Sequence, residues 1–213
     1  MKKISFCITC WNKDIYFLPS VLNDIKSQTV QPNEIIVVAN NVERLNINDK
    51  TIKTFFTQER KSVSWSRNKA ATIANGDIII FFDVDDVMHK QKIEITKHVF
   101  ENTNADCFVH GFYENENLSE IYSDFKTEKI ISLIDNRYLK IPSGSNKDLH
   151  HGHLSVKRDV IIKNPYNETL FWGEDAELCT RLFNLNFNFY YSHCKLINYR
   201  PSYKDMSRNW YYV

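Results

Sequence analysis

An α/β fold with a mainly parallel central sheet flanked by helices follows from three features of this 213-residue sequence. Apolar runs such as "EIIVV" and "DIIIFF" are continuous rather than alternating, the pattern of strands buried on both faces. Helix-like stretches separate them, so strand and helix alternate through the first half. Turn signals, "QPN" and "ANG", punctuate the joins.

Taken in order, Ile4 to Thr9 reads as a buried strand, and Ile15 to Ser27 as a helix with Leu18, Val21, Leu22 and Ile25 on one face. "QPNEIIVVANN" is a turn, a buried strand and a polar stop, and "IKTFFTQ" is a short third strand. "SVSWSRNKAATIANG" predicts a helix closed by Asn75-Gly76 as a C-terminal signal. "DIIIFF" then runs into Asp83, Asp85 and Asp86, and a helix follows through "KQKIEITKHVFENT". Beyond about residue 105 the pattern loosens. "DCFVHGFYE" reads as a strand, residues 116–148 are polar without a clear period, and "HGHLSVKRDVI" is a strand entering a helix. "GEDAELCTRLFNL" predicts a helix and "FNFYYSHCKLINYR" one or two strands. With no linker and no internal repeat, one domain over residues 1–213 is expected.

Composition narrows the function classes. Lys plus Arg number 27 against 26 acids, a net charge of +1, which leaves no electrostatic footprint for nucleic acid or an acidic membrane surface. No run approaches the ~20 apolar residues of a membrane helix. "MKKISFCITCW" is a first strand rather than a leader, its apolar stretch being broken at Thr9 and Asn12. Five cysteines without framework spacing point to reduced thiols and a cytoplasmic setting. Cys7-x-x-Cys10 lies along a strand with no second pair, so core packing is preferred to redox or zinc chemistry. The apolar finish "NWYYV" packs on the body or on an oligomer partner, or else the chain is the catalytic part of a longer polypeptide.

Three like charges within four residues at a strand's end repel one another, and something must offset that. Carboxylates are hard ligands suited to Mg²⁺ or Mn²⁺, which take one or two of them and complete their shell with phosphates and water. Two alternatives compete with metal binding. Asp86 would cap a helix starting near Val87, or Asp83 would be the nucleophile of a haloacid dehalogenase-type phosphatase, whose D-x-D-x motif it fits. Against the latter, several elements precede the motif, and no later apolar strand ends in an acidic pair.

The order of the pieces resembles the GT-A glycosyltransferases, family 2 in particular. "ISFCITCWNKDIYFLPSVLNDIKSQTVQPNEIIVVANN" is similar to the family's opening, "VSWSRNKAATIANGDIIIFFDVDD" to its Arg-Asn helix, strand and D-x-D motif, and "HGHLSVKRDVI…FWGEDAELCTRL" to its acceptor segment. The likeness covers most of the chain outside residues 112–148. It implies a nucleotide-sugar-binding half, about 1–110, and an acceptor-binding half, about 111–213. A nucleotide-diphosphate sugar, with a UDP-sugar preferred, would lie across the strand ends with its base near Thr9, Trp11 and Asn12. Asp83 would reach the ribose or the metal, Val84 would border the donor, and Asp85 would hold Mn²⁺ or Mg²⁺. Arg67 would lie by the diphosphate or base, where a planar fork suits phosphate oxygens; a surface arginine is its plain alternative.

The resemblance also implies an inverting transfer to an acceptor hydroxyl, of a glycan or another molecule, with Asp175 as general base. Glu174 and Trp172 would help to bind the acceptor; the structural alternatives are carboxylates favoured at a helix N-terminus and a packed tryptophan. Departures from the family are visible. Ala39 stands where an acid commonly binds the base, leaving Asn40 or Asn41 as substitutes. Arg200 stands near where some relatives supply a late histidine and would grip the diphosphate directly, and His193 falls a few residues early. Of the "LHHGH" histidines, His150, His151 and His153, one is a candidate for the acceptor pocket, represented by His153. A binding module of the same fold without catalysis remains the alternative from another functional class.

Overall fold

The computed structural model describes residues 1–114, 153–170 and 172–199. Strand β1 (Ile4–Trp11) leads through a 3₁₀ turn (Asn12–Phe17) into α1 (Leu18–Lys26), followed by β2 (Glu34–Asn40) and β3 (Ile52–Thr57). Next come α2 (Val63–Ile73), β4 (Ile78–Asp83), the two-residue β5 (Val87–Met88), α3 (Lys92–Asn102) and β6 (Cys107–Glu114). After residue 152 the order is β7 (Ser155–Lys157), α4 (Arg158–Lys163), α5 (Glu174–Asn184) and β8 (Phe189–Tyr199).

All eight strands form one sheet in the order β3-β2-β1-β4-β7-β6-β8-β5. Strands β3, β2, β1 and β4 are parallel, as the continuous apolar runs predict. The other side is mixed: β7 is antiparallel to both β4 and β6, β6 and β8 are parallel, and β5 is antiparallel to β8. The chain thus departs from the parallel rule where β7, three residues long, is wedged between β4 and β6.

Side chains of successive strand residues point to opposite faces, and each face has its own core. Ile4, Phe6, Ile8, Ile78, Ile80 and Phe82 pack with α1 and α3 on one side. Cys7, Ile36, Val38, Ile79 and Phe81 pack with α2, α4 and α5 on the other. Cys7 and Cys10 fall on opposite faces, which excludes a joint redox or metal role for that pair. All five cysteines are buried and free, and burial pushes the Cys7 and Cys10 thiols far up, out of the reactive range.

Local chemistry sets the helix ends. Ser62 caps α2 by accepting a hydrogen bond from the Trp65 N–H at 3.2 Å. Helix α2 stops at Ile73, and Gly76 serves a purpose other than the expected helix stop. Among the described residues only Asn41, Asn186 and Gly173 have positive φ. A Cβ at Gly76 would meet Ser5 Oγ at 2.6 Å, the Ser5 backbone N at 2.7 Å and the Lys3 carbonyl at 2.9 Å. Glycine is there so that the chain entering β4 can lie against β1. Among the described residues no helix is long and apolar enough to cross a membrane.

Candidate functional site

Parallel strands gather their carboxyl ends, and ligands collect at such a rim. Register brings Thr9 of β1 opposite Asp83 of β4, and Trp11 opposite Asn40 of β2. Thr9 donates from Oγ1 to Asp83 Oδ1 at 3.4 Å. Trp11 is half-buried with the Lys13 ammonium 5.3 Å from its ring centroid, and Asn12 is exposed at the start of the 3₁₀ turn. These residues border the rim as expected. Asn40 does not offer itself to a base in the same way. It is buried, its Nδ2 donates to Ser66 Oγ at 2.9 Å, and its Oδ1 accepts the Lys61 N–H at 3.4 Å, so it ties β2 to the segment opening α2. Asn41, with φ of 56°, makes the left-handed turn that follows.

The acidic cluster is layered. Asp83 keeps 18% of its side chain open, Asp85 is 8% exposed, and Val84 between them is buried in the core. Asp86 lies deepest, its Oδ2 accepting the His153 Nε2–H at 2.7 Å with both side chains sealed from solvent. Helix α3 begins at Lys92 with Gln91 at its N-cap, so Asp86 does not cap it. The cap alternative for Asp86 is therefore overturned. Nor does His153 line an open acceptor pocket. Its ring sits under the cluster, edge-on to Phe82 at 4.7 Å, and burial, against the pull of Asp86, lowers its pKa.

A second buried pair adjoins the first. Lys92 meets His110 Nε2, whose ring is 6.3 Å from that of His153. Burial pushes the Lys92 amine down to about 7, against the opposing charge of Asp86. Nothing in the local sequence marks these partners. For Lys92 and His110 the one available signal was their type, a lysine and a histidine within helix and strand patterns.

Three side chains at this rim offer ligand atoms of the kind a divalent ion takes. Asp83, Asp86 and His153 each present a ligand atom within 4.8 Å of the others. That set differs from the Asp83–Asp85 pair expected from sequence. Asp85 is not one of the three; of the set, Asp86 and His153 are sealed from solvent and hydrogen-bonded to each other, and Asp83 alone is partly open.

Arg67, on α2, is 2% exposed and closes the other side of the rim. Its Nη2 donates to Asp83 Oδ1 at 3.0 Å and its Nη1 to Glu174 Oε1 at 2.8 Å, while its guanidinium carbon lies 5.3 Å from the Tyr166 ring centroid. Burial works against its charge, but Asp83 foremost, with Tyr166 and Glu174, holds its pKa well above the ordinary value. Neither the surface arginine nor the fork aimed at a diphosphate describes it: both arms are occupied by carboxylates. Glu174 and Asp175 open α5, where the helix dipole favours negative charge. Glu174 is spent on Arg67, whereas Asp175 is partly exposed and its Oδ1 accepts the Ala176 N–H at 2.7 Å. Trp172 stands 78% exposed just before them, and Gly173 turns the chain with φ of 70°. Trp172 is therefore no core residue. Arg200, His150 and His151 lie outside the described residues, as does the side chain of His193.

Comparison with known proteins places this geometry. A family model described as glycosyl transferase family 2 matches residues 5–165. The chain is 28% identical over 167 residues to the UDP-Glc:alpha-D-GlcNAc-diphosphoundecaprenol beta-1,3-glucosyltransferase WfgD of Escherichia coli, covering 78% of this chain and 62% of that protein. It is 24% identical over 113 residues to a cholesterol galactosyltransferase of Borreliella burgdorferi, covering 50% of this chain and 32% of that one. It therefore spans less than two thirds of either relative. Residues 1–349 of S. aureus TarS in complex with UDP superpose with a TM-score of 0.70 at 16% identity, over 97% of this chain and 62% of that one. The matching TarS complex with UDP-GlcNAc gives 0.70 at 15% identity, over 93% and 58%. With a matched region from β1 through α4 and an overall likeness to these structures, the chain belongs to glycosyl transferase family 2 and has the GT-A fold.

Proposed function

We propose that the protein transfers a sugar from a nucleotide-diphosphate donor, a UDP-sugar, to an acceptor hydroxyl with inversion, assisted by Mn²⁺ or Mg²⁺. One observation carries the reading: the carboxylates ending β4 and those opening α5 face a common rim and are joined there through Arg67. Support also comes from the relatives, since the E. coli protein is named for a UDP-Glc donor and a β-1,3 product, and TarS is seen with UDP and UDP-GlcNAc. Five buried, free cysteines fit a reducing, cytoplasm-like compartment.

In this mechanism Asp83 and Asp85 would hold the ion, which would supply Lewis-acid neutralisation of charge on the departing diphosphate. Thr9 and Trp11 border the nucleotide. Asp175 takes the proton of the acceptor hydroxyl as its oxygen attacks the anomeric carbon, and the bond from that carbon to the diphosphate breaks. Trp172 offers an exposed ring to the face of an acceptor sugar.

Titration of UDP into the protein with and without Mn²⁺, paired with chromatography of UDP released from a panel of UDP-sugars, tests this. Binding should require the ion, and Asp85→Ala should weaken it at least ~10-fold, the scale of losing one charged ligand. Equal UDP affinity with and without Mn²⁺, or an Asp85→Ala protein that binds like the wild type, rejects the metal role. Ion-dependent binding without UDP release in the presence of any acceptor would favour the non-catalytic module.

A further inference from the structure

One buried cation serves both halves of the site. We propose that Arg67 is a positioning residue coupling the Glu174–Asp175 helix to the donor-side carboxylate Asp83, so that Glu174 tunes the diphosphate site without touching it. This inference rests on the donor reading above.

The contacts make the coupling physical. Arg67 reaches Asp83 at 3.0 Å and Glu174 at 2.8 Å, residues 16 and 107 positions away in sequence. The three side chains of Arg67, Asp83 and Glu174 are 3%, 18% and 11% exposed, so solvent screens their interaction weakly. A guanidinium presents its donors in a fixed plane, and a carboxylate held by one arm limits what the other can do. Arg67 divides its charge between two carboxylates. With glutamine in place of Glu174, Arg67 would neutralise Asp83 more fully, and Asp83 would be a poorer partner for a divalent ion.

The surroundings resist relaxation. The Tyr166 ring lies 5.3 Å from the guanidinium carbon and packs edge-on to Phe81 at 5.5 Å. Asn68, next to Arg67, donates to the Tyr166 carbonyl at 2.9 Å and accepts the Tyr166 N–H at 2.8 Å. Consecutive residues of α2 therefore grip the acceptor half at two points. Moving Glu174 or Asp83 strains this clamp instead of dissipating in loose packing.

The test reads the Kd of UDP with saturating Mn²⁺ in four proteins: wild type, Glu174→Gln, Arg67→Lys and the double variant. Glu174→Gln should weaken binding about fivefold or more, the low end of coupling between sites. In the Arg67→Lys background, where one ammonium cannot span both carboxylates, the same change should cost less than about twofold. Equal losses in both backgrounds would reveal a through-space field of Glu174 alone and overturn the proposal. Glu174→Asp supplies an arm that does not depend on Arg67→Lys folding. It keeps the charge and shortens the reach, so its affinity should also fall, and wild-type affinity overturns the proposal. A wild-type protein that fails to bind Mn²⁺ and UDP rejects the donor reading and this inference together. Binding without background dependence rejects this inference alone.

Discussion

Glu174 and Asp175 are neighbours in the same helical turn, yet their surroundings give them different tasks. Glu174 is turned into a buried ion pair with Arg67. Asp175 is partly exposed, with one helix N–H on its carboxylate and no cation committed to it as Arg67 is to Glu174 among the described contacts. Asp175→Asn should therefore keep Mn²⁺-dependent UDP binding within about twofold while losing transfer by ~10²–10⁴, the usual contribution of a general base. Acceptor-dependent UDP release measures this, and unchanged turnover removes Asp175 from the mechanism. The Glu-Asp pair itself was legible because its motif is local. His153 was not. Its partner Asp86 lies 67 positions away, and its burial under β4 follows from the folded path of the chain.

At the scale of elements, β4 shows which signals survive folding. Its run of five apolar residues reads directly as a strand with both faces covered, and Ile78 to Phe82 are all fully buried. The preceding Asn75-Gly76 reads as a helix stop, yet the glycine answers a contact with β1. Gly76→Ala should accordingly cost ~1–3 kcal/mol, because two of the three atoms a methyl would meet are backbone and cannot swing away. Urea unfolding measures it, and a midpoint equal to the wild type's would refute close approach as the reason for a glycine there. Strand β7 marks the opposite case. "LSVK" carries strand propensity but no sign of direction, and its antiparallel insertion is set by what flanks it: three residues paired with β4 on one side and two of them with β6 on the other.

For the whole molecule, the sheet separates two cores, and a buried polar quartet of Asp86, His153, Lys92 and His110 lies within the fold. This has a consequence for global stability. The Lys92 pKa falls from 10.5 to about 7 on folding because burial penalises the ammonium. Between those values the unfolded chain binds more protons than the folded one, so this group makes stability rise with pH across that window. Below about pH 7 the amine is charged in both states, and the full penalty of burying it is present. Urea curves of wild type and Lys92→Met at about pH 6 and pH 9 should show the variant's relative advantage shrinking at the higher pH. A difference independent of pH would mean that Lys92 titrates alike in both states.

By itself, the sequence determined the alternation of elements, the parallel strands of the first half and the positions of the D-x-D and Glu-Asp motifs, because each is written in residues that are neighbours along the chain. Only the tertiary structure decided that Arg67 is shared between Asp83 and Glu174, that Asp86 is sealed against His153, and that Asn40 is committed to Ser66. Those pairings join residues 26 to 107 positions apart, or, for Arg67 and Asp83, opposite ends of a helix–strand unit. Charge type shows that a carboxylate or guanidinium needs a partner, but burial and the folded path of the backbone select which one.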